Sequence, residues 1–167
     1  QINSFPPSLN WDEASLGYNA YSILKTGRDE WGNRWPLIFR AYGDYKLPVY
    51  IYLSIPFIAI FGLNALSIKL ISIISGTVLV YIAYLTVEKL SKSQKIALVS
   101  ALLIAFSPWS IFLSRIALEA NLFLLLFALS FYFLISKKIY LSSLFFALSL
   151  FTYNSSRVLL PFYLIAL

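Results

Sequence analysis

Long apolar runs separated by short polar segments make up the chain after residue 64. The run 65–87 exceeds the about 20 residues that a helix needs to cross a bilayer. Further apolar runs occupy 96–113, 120–136 and 139–152, and a shorter one begins at residue 158. The pattern predicts that residues 65–167 form about five transmembrane helices, the last of them incomplete.

The first 64 residues are more polar and rich in aromatic side chains. Asn10 followed by Glu13 fits a helix N-cap with a capping box, and Gly27 fits the end of that helix. Tyr and Trp favour the headgroup region of a bilayer. We therefore predict an amphipathic helix and a turn-rich segment lying at the membrane interface, within an extracytoplasmic loop domain that spans residues 1–64.

The apolar segment 47–63 is a special case because Pro48 and Pro56 interrupt it. Its length is below the about 20 residues of a typical span. These features favour a re-entrant or interfacial helix, although a crossing stays open. The ends are also informative: Gln1 begins in a polar stretch and the chain has no Met, so we expect a piece of a longer polytopic protein.

Composition changes the picture from a helical protein to an integral membrane protein. Of 167 residues, 60% are hydrophobic and only 12% charged, and the mean hydropathy is +0.78. A soluble domain is about half apolar and a quarter charged. The fold class predicted is an all-α, polytopic transmembrane bundle in the plasma or inner membrane. The net charge of +6 is small beside this apolar mass, and no nucleic-acid partner is expected.

The absence of Cys and His limits the chemistry. Disulfides, thiolate nucleophiles and imidazole bases are excluded, so acid–base work falls to Asp, Glu, Lys or Tyr. No cofactor is assigned, and a divalent metal is left open.

Charge distribution predicts the orientation. Lys89, Lys92 and Lys95 form one basic loop and Lys137-Lys138 a second, and Lys or Arg in short loops marks the cytoplasmic face. Two crossings join these loops, so residues 114–119 must be outside. If 47–63 does not cross, residues 10–46 are outside as well.

This topology gathers ionic side chains at one face of the membrane. Carboxylates near hydrocarbon are expensive, so each is a functional candidate. The candidates that share the extracytoplasmic face are Asp12, Lys46, Arg115, Glu119 and Arg157.

Four motifs follow one another in a recognisable order: Asn10-Trp-Asp-Glu-Ala, then residues 25–32 (KTGRDEWG), 43–50 (GDYKLPVY), and Ser107-Pro-Trp leading to Arg115 and Glu119. Their order and spacing resemble the GT-C glycosyltransferases. The nearest groups are the dolichyl-phosphate-mannose protein mannosyltransferases and the bacterial aminoarabinose and lipid-A-type sugar transferases. The resemblance implies transfer of a hexose or pentose from a polyprenyl-phosphate carrier to an acceptor protein, lipid or glycan outside the membrane.

The resemblance also implies roles for individual residues. Asp12 matches the proposed catalytic base, Lys46 the lysine that contacts the carrier phosphate, and Glu119 a second acidic position that is often Asp in the family. A carboxylate can deprotonate an acceptor hydroxyl, and a cation can neutralise the departing phosphate. Arg115 and Arg157 suit phosphate oxygens as well. The family's metal-binding His has no counterpart here.

Each assignment has a structural alternative. Acidic residues favour the first turn of a helix, which accounts for Asp12 and Glu119 without catalysis. For Lys46 and Lys69 the alternative is snorkelling to the interface, and for the two arginines it is anchoring to lipid headgroups. Glu13 is expected to be a cap.

The remaining acidic residues of the first loop are expected to be solvated loop charges. They are Asp29, Glu30 and Asp44.

Two rival functions remain. The first is a non-catalytic transporter or assembly subunit, in which the charges line a pathway or a partner surface. The second is an oligosaccharyltransferase-like enzyme with a lipid-pyrophosphate donor and a metal.

Overall fold

A computed structural model describes residues 9–166 of the chain, which form helices and one short hairpin. The expectations for residues 1–8, including the extended Pro6-Pro7, lie outside the described residues. In chain order the elements are α1 (Trp11–Thr26), β1 (Phe39–Ala41), β2 (Asp44–Lys46), α2 (Pro48–Phe61), α3 (Ala65–Ser91), α4 (Gln94–Ala105), α5 (Pro108–Arg115), α6 (Glu119–Ile135), α7 (Ile139–Leu150) and α8 (Ser156–Ala166).

Helix α1 begins and ends as predicted. The backbone N–H of Glu13 donates to the Asn10 side chain at 2.7 Å, and the Asn10 N–H donates back to the Glu13 carboxylate at 2.9 Å. This reciprocal pair satisfies two of the backbone donors left free at a helix start. Gly27 ends the helix at φ 69°, in the left-handed region that favours glycine.

A two-stranded hairpin follows, which the sequence did not predict. Strands β1 and β2 pair antiparallel, with Phe39 opposite Lys46. Tyr42 and Gly43 form the turn, both at positive φ, as a type I′ turn requires. Phe39 is completely buried, so the hairpin is fastened to the helices by its first residue.

Helix α2 has Pro48 in its first turn, where the missing N–H is not needed. Its 14 residues span about 21 Å, short of the about 30 Å of bilayer hydrocarbon. The helix packs between α1 and α3, and the buried Tyr50 hydroxyl donates to the Ile68 carbonyl at 3.0 Å. The interfacial placement of α2 stays a prediction.

Helix α3 is the centre of the molecule. It has 27 residues and contacts α2, α4, α5 and α6. Within residues 9–166 it is the one unbroken helix that is both long and apolar enough to cross a membrane. The helical character predicted from the sequence is confirmed, whereas the number of crossings stays a prediction.

The apolar run 96–113 forms two helices, because Pro108 interrupts it. Residues that precede a proline avoid the helical region, and Ser107 is extended at φ −62°, ψ 123°. Helices α4 and α5 are bent by 55° at this break. Counted as one broken span, the pair raises the number of membrane-length elements to two; α2, α6 and α7 are apolar but shorter.

The core is formed where α1, α2, α3 and α6 meet. The fully buried apolar side chains of this core include Leu16, Ala20, Ile23, Tyr50, Ile51, Ile58, Ile68 and Ala117. The core is continuous across residue 64, and the division into domains 1–64 and 65–167 stays a prediction.

The outer face of α4 carries large exposed apolar side chains, as expected for a surface that meets lipid.

Two charged residues are not where the sequence suggested. Asp29, expected to be solvated, is 4% exposed and accepts the backbone N–H groups of Trp31 and Asn33 at 3.0 and 2.7 Å. Its carboxylate organises the loop after α1, a local role that a loop position does not reveal. Lys69, expected to snorkel, is 1% exposed. A buried acid, described below, faces its ammonium group and makes burial tolerable.

Candidate active site

Four segments far apart in sequence line one polar cavity of about 210 Å³. They are the start of α1, the segment from β2 to the start of α2, the start of α6, and the connection between α7 and α8, which closes the cavity. The lining residues are Asp12, Asp44, Tyr45, Lys46, Leu47, Leu118, Glu119, Ala120, Thr152, Tyr153 and Asn154.

The closest ionic contact in this cavity joins Asp12 and Lys46. The ammonium nitrogen lies 2.8 Å from Asp12 Oδ1. The side chain of Lys46 is 12% exposed and that of Asp12 is 47% exposed, so the acid faces solvent and the lysine lies beneath it. A second acid, Asp44, approaches the same ammonium group at 3.5 Å.

The hairpin explains why Lys46 points into the cavity. Lys46 is the last residue of β2, and Leu47 after it is the N-cap of α2. An edge-to-face contact between Trp11 and Tyr42, with ring centroids 5.7 Å apart, holds the hairpin turn against the start of α1. Burial alone lowers the pKa of Lys46, but the surrounding carboxylates outweigh it and the pKa is raised.

Glu119 is the first residue of α6 and precedes the apolar run 120–136. It is 9% exposed, and Oε1 has no hydrogen-bond partner among the described residues. Burial raises the pKa of Glu119 to about 7; Lys46 lowers it, and the negative charges of Asp12 and Asp44 raise it. Glu119 is therefore poised to exchange a proton near neutral pH.

Glu13 links the two segments that carry Asp12 and Glu119. The backbone N–H of Ala117 donates to Glu13 Oε1 at 2.7 Å, across 104 residues of sequence. Glu13 adjoins Asp12 and Ala117 lies two residues before Glu119, so this bond joins the start of α1 to the segment before α6. The other side of the cavity is held by Val49, whose backbone N–H donates to the Phe151 carbonyl at 3.4 Å.

A sequence profile of the dolichyl-phosphate-mannose-protein mannosyltransferases matches residues 2–160. The chain belongs to this family. Its members are integral membrane glycosyltransferases of the GT-C group that use a polyprenyl-phosphate-linked sugar as donor. No curated protein and no solved structure matches the chain.

The mannosyltransferase family assignment confirms the resemblance seen in the sequence, but it does not assign roles to residues. Of the five predicted site residues, the structure brings Asp12, Lys46 and Glu119 into one cavity. Arg115 and Arg157 are exposed and do not line it. Arg157 lies in the first turn of α8, beyond the connection that closes the cavity.

Arg115 instead lines a larger, mostly apolar cavity of about 520 Å³ between α3, α4 and α5. Small and hydroxyl side chains from α3 and α5 contribute to it. The other lining residues are Ile73, Gly76, Thr77, Val80, Ile104, Ala105, Ser110, Ile111 and Ser114.

Glu13 and Asp44 have contacts at the site that were not predicted from the sequence. Glu13 was predicted to be a cap, which is confirmed, but it is also completely buried and lies 3.8 Å from Lys69 Nζ. The sequence held one signal of this further role of Glu13: it directly follows another acid, Asp12. A capping residue alone does not need a buried partner such as Lys69. Asp44 is exposed as expected, yet it lines the cavity.

A divalent metal was left open from the sequence. Within residues 9–166, no group of three or more acidic, His or Cys side chains has the geometry to hold one. The cavity instead pairs its carboxylates with an ammonium group.

Proposed function

We propose that this mannosyltransferase-family protein transfers a sugar from a polyprenyl-phosphate carrier to an acceptor hydroxyl at the extracytoplasmic face of the membrane. The observation that carries the proposal is the meeting of Asp12, Lys46 and Glu119 in one cavity at the ends of α1 and α6. At about 210 Å³ the cavity is below the about 300–1,000 Å³ of a drug-sized site. It suits the sugar-phosphate headgroup, with the lipid chain outside it.

Two lysine-rich junctions, residues 89–95 at the end of α3 and Lys137-Lys138 after α6, support the proposed side of the membrane. They lie at the ends of α3 and α6 that are far from the cavity. Lys89, near the end of α3, lies 5.8 Å from the ring centroid of Tyr132, near the end of α6. At the other end, the Asn121 amide donates to the Ser72 carbonyl at 2.8 Å. The two helices therefore run in the same direction from the cavity towards the lysine-rich junctions.

The length of α3 matches this proposal. From Lys69, which faces Glu13 next to Asp12, to Lys89 at the basic end, 20 residues of helix span about 30 Å, the thickness of bilayer hydrocarbon. A helix of this length separates the acidic cavity from the basic loops by one membrane. With basic loops on the cytoplasmic side, the cavity opens on the other side.

The proposed reaction is a displacement at the anomeric carbon of the donor sugar. The Asp12 carboxylate takes the proton of the acceptor hydroxyl, whose oxygen attacks that carbon. The bond between the carbon and the phosphate oxygen breaks, and the carrier phosphate leaves with both bonding electrons. Lys46 neutralises the charge that develops on the leaving phosphate.

In this mechanism Lys46 exchanges partners. Without donor its ammonium group binds Asp12 at 2.8 Å. The phosphodiester of the donor, which carries one negative charge, competes for the ammonium group and frees Asp12 to accept a proton; the second charge develops on the phosphate as it leaves. Glu119, whose Oε1 has no partner in the part of the chain that the structure describes, is a further acid of the site and faces the same headgroup.

The predicted phosphate contacts of Arg115 and Arg157 stay predictions. Because neither residue lines the polar cavity, we propose that Lys46 is the principal phosphate ligand. The acceptor class, whether protein, lipid or glycan, stays open in this proposal.

The donor is tested with the full chain in lipid nanodiscs. Radiolabelled sugar is supplied on a polyprenyl phosphate, on a polyprenyl pyrophosphate, or on a nucleotide, together with a mixture of acceptors. We expect the wild-type protein to transfer sugar from the polyprenyl-phosphate donor and from neither of the other two donors. We expect no transfer by Asp12→Asn. Glu88→Gln, the same change at the basic end of α3, is the matched control and retains activity. Transfer by Asp12→Asn at the wild-type rate, or only from a pyrophosphate, contradicts the proposal.

The side of the membrane is tested by labelling, since the chain contains no cysteine of its own. Arg34→Cys, in the exposed loop after α1, and Lys95→Cys, at the basic junction, are compared in intact cells. An impermeant maleimide should label position 34 and spare position 95. Labelling of both from the same side overturns the proposed topology.

A further inference from the structure

The acid next to Asp12 carries more contacts than a helix cap requires. One oxygen of Glu13 accepts the Asn10 N–H at 2.9 Å, which completes the capping box. The other accepts the Ala117 N–H at 2.7 Å. Glu13 is 0% exposed, whereas a capping carboxylate needs no burial to accept a backbone N–H.

The charge of Glu13 also has a dedicated partner. Lys69 Nζ lies 3.8 Å from the same Oε1, and the two side chains are 1% and 0% exposed. A buried charge is strongly unfavourable when its partner is removed, so the pair holds α3 to the start of α1. Lys69 belongs to the central helix, which contacts five other helices.

These contacts converge on the acids of the cavity. Glu13 is adjacent to Asp12 in the first turn of α1, and Ala117 is two residues from Glu119 at the start of α6. The segment before α6 has no side-chain cap at Leu118 to fix it. The Ala117–Glu13 bond supplies that constraint from another helix.

We propose that Glu13, held by Lys69, is a positioning residue that sets the separation of Asp12 and Glu119 in the proposed transfer reaction. The inference rests on the proposed function. Glu13 itself touches no reacting atom, because both its oxygens are occupied within the protein. A misplacement of about 1 Å in a reacting group can reduce a rate about 100-fold, so such a residue controls kcat rather than donor affinity.

The test uses Glu13→Gln, which keeps the size of the side chain. A glutamine has one acceptor oxygen for the two backbone donors and leaves Lys69 unpaired. We expect kcat per folded molecule to fall about 10-fold or more, with KM changed less than about 2-fold. The matched control is Asn10→Ala, which removes the cap side chain at the same helix start but leaves the Glu13 carboxylate; it should lower thermal stability and leave kcat unchanged.

A second variant keeps the inference testable if Glu13→Gln folds poorly. Lys69→Met added to Glu13→Gln removes the unpaired buried charge and is expected to restore folding, while kcat per folded molecule stays about 10-fold or more below wild type, because one amide oxygen cannot hold both backbone donors and Lys69 no longer holds the side chain. Folded Glu13→Gln with wild-type kcat, or a double variant that folds fully and has wild-type kcat, overturns the inference.

The two proposals fail separately. An active Asp12→Asn protein refutes the proposed function whatever Glu13 does. An inactive Asp12→Asn protein alongside a fully active Glu13→Gln protein refutes only the positioning role.

Discussion

Two cavities of this protein place a cation in opposite surroundings. Lys46 lies in a small polar cavity between Asp12 and Asp44, with Glu119 on the same wall. Arg115 lines a cavity more than twice as large, built mainly from apolar side chains of α3, α4 and α5. From the sequence both residues were candidates for the carrier phosphate, since both are cations near the same predicted face.

The difference shows that a cation becomes a plausible catalytic group through its neighbours. Lys46 is held by acids that a phosphate can replace as partner, and one of those acids is then free to act as a base. For Arg115, no acidic group lines its cavity within the described residues. Such surroundings fit a lipid chain or headgroup better than a reacting centre.

The largest expected effect is that of Asp12→Asn. General base catalysis contributes about 100- to 10,000-fold to a rate, and the substitution removes the proton acceptor while keeping the shape. Transfer should fall by that factor, measured as initial rate per inserted protein. Glu88→Gln should differ from wild type by less than about 2-fold, and an equal loss in both variants would remove the distinction between the two ends of α3.

The second prediction contrasts the two cations directly. Lys46→Ala should reduce kcat/KM for the polyprenyl-phosphate donor by about 100-fold, because the leaving phosphate loses its counter-charge. Arg115→Ala should reduce it less than about 5-fold. Lys95→Ala, an exposed lysine at the basic junction, is the control. If Arg115→Ala proved as damaging as Lys46→Ala, the apolar cavity would belong to the active site.

A third prediction concerns pH. The pKa of Glu119 is raised to about 7, above its ordinary value of 4.5, so the fold favours the protonated acid. The resulting stability is fully present below about pH 4.5 and is lost as the pH rises through about 7. The unfolding temperature in detergent should therefore fall between pH 5.5 and pH 8. Glu119→Gln should show roughly half that fall or less; an unchanged profile would mean that other groups cause it.

The smallest effect on transfer is expected for Gly76→Ala in the wall of the apolar cavity. A Cβ at position 76 would collide with the Ser114 side chain, so α3 and α5 must move apart. Overpacking of this kind costs about 1–3 kcal/mol of stability. Thermal unfolding should shift down while the specific activity of folded protein stays within about 2-fold. A large loss of specific activity would connect the two cavities.

Much of the fold follows from local patterns. The capping box at Asn10, the helix end at Gly27 and the long apolar run of α3 were all predicted, because each depends on residues within a few positions of one another. The hairpin was missed since its three-residue strands show no clear alternation. The bend at Ser107 needed the proline to be weighed against an apolar run that looked continuous.

The candidate site divides in the same way. Asp12, Lys46 and Glu119 were each selected from the sequence, because ionic residues beside hydrocarbon are rare and costly. Their contact was only inferred from a shared membrane face. Arg115 and Arg157 satisfied the same criterion and lie elsewhere, since depth in a bilayer constrains one dimension of three.

The sequence by itself determined that this is a helical membrane protein of the GT-C group and which charged residues were candidates, because hydropathy, caps and motifs are local properties of the chain. Only the tertiary structure decided which candidates meet. Glu13 bonds to Ala117 across 104 residues and pairs with Lys69 in α3, and no local pattern encodes these contacts. They form because a buried charge and a buried N–H must each find a partner, and the packing of α1, α3 and α6 determines which partner is in reach.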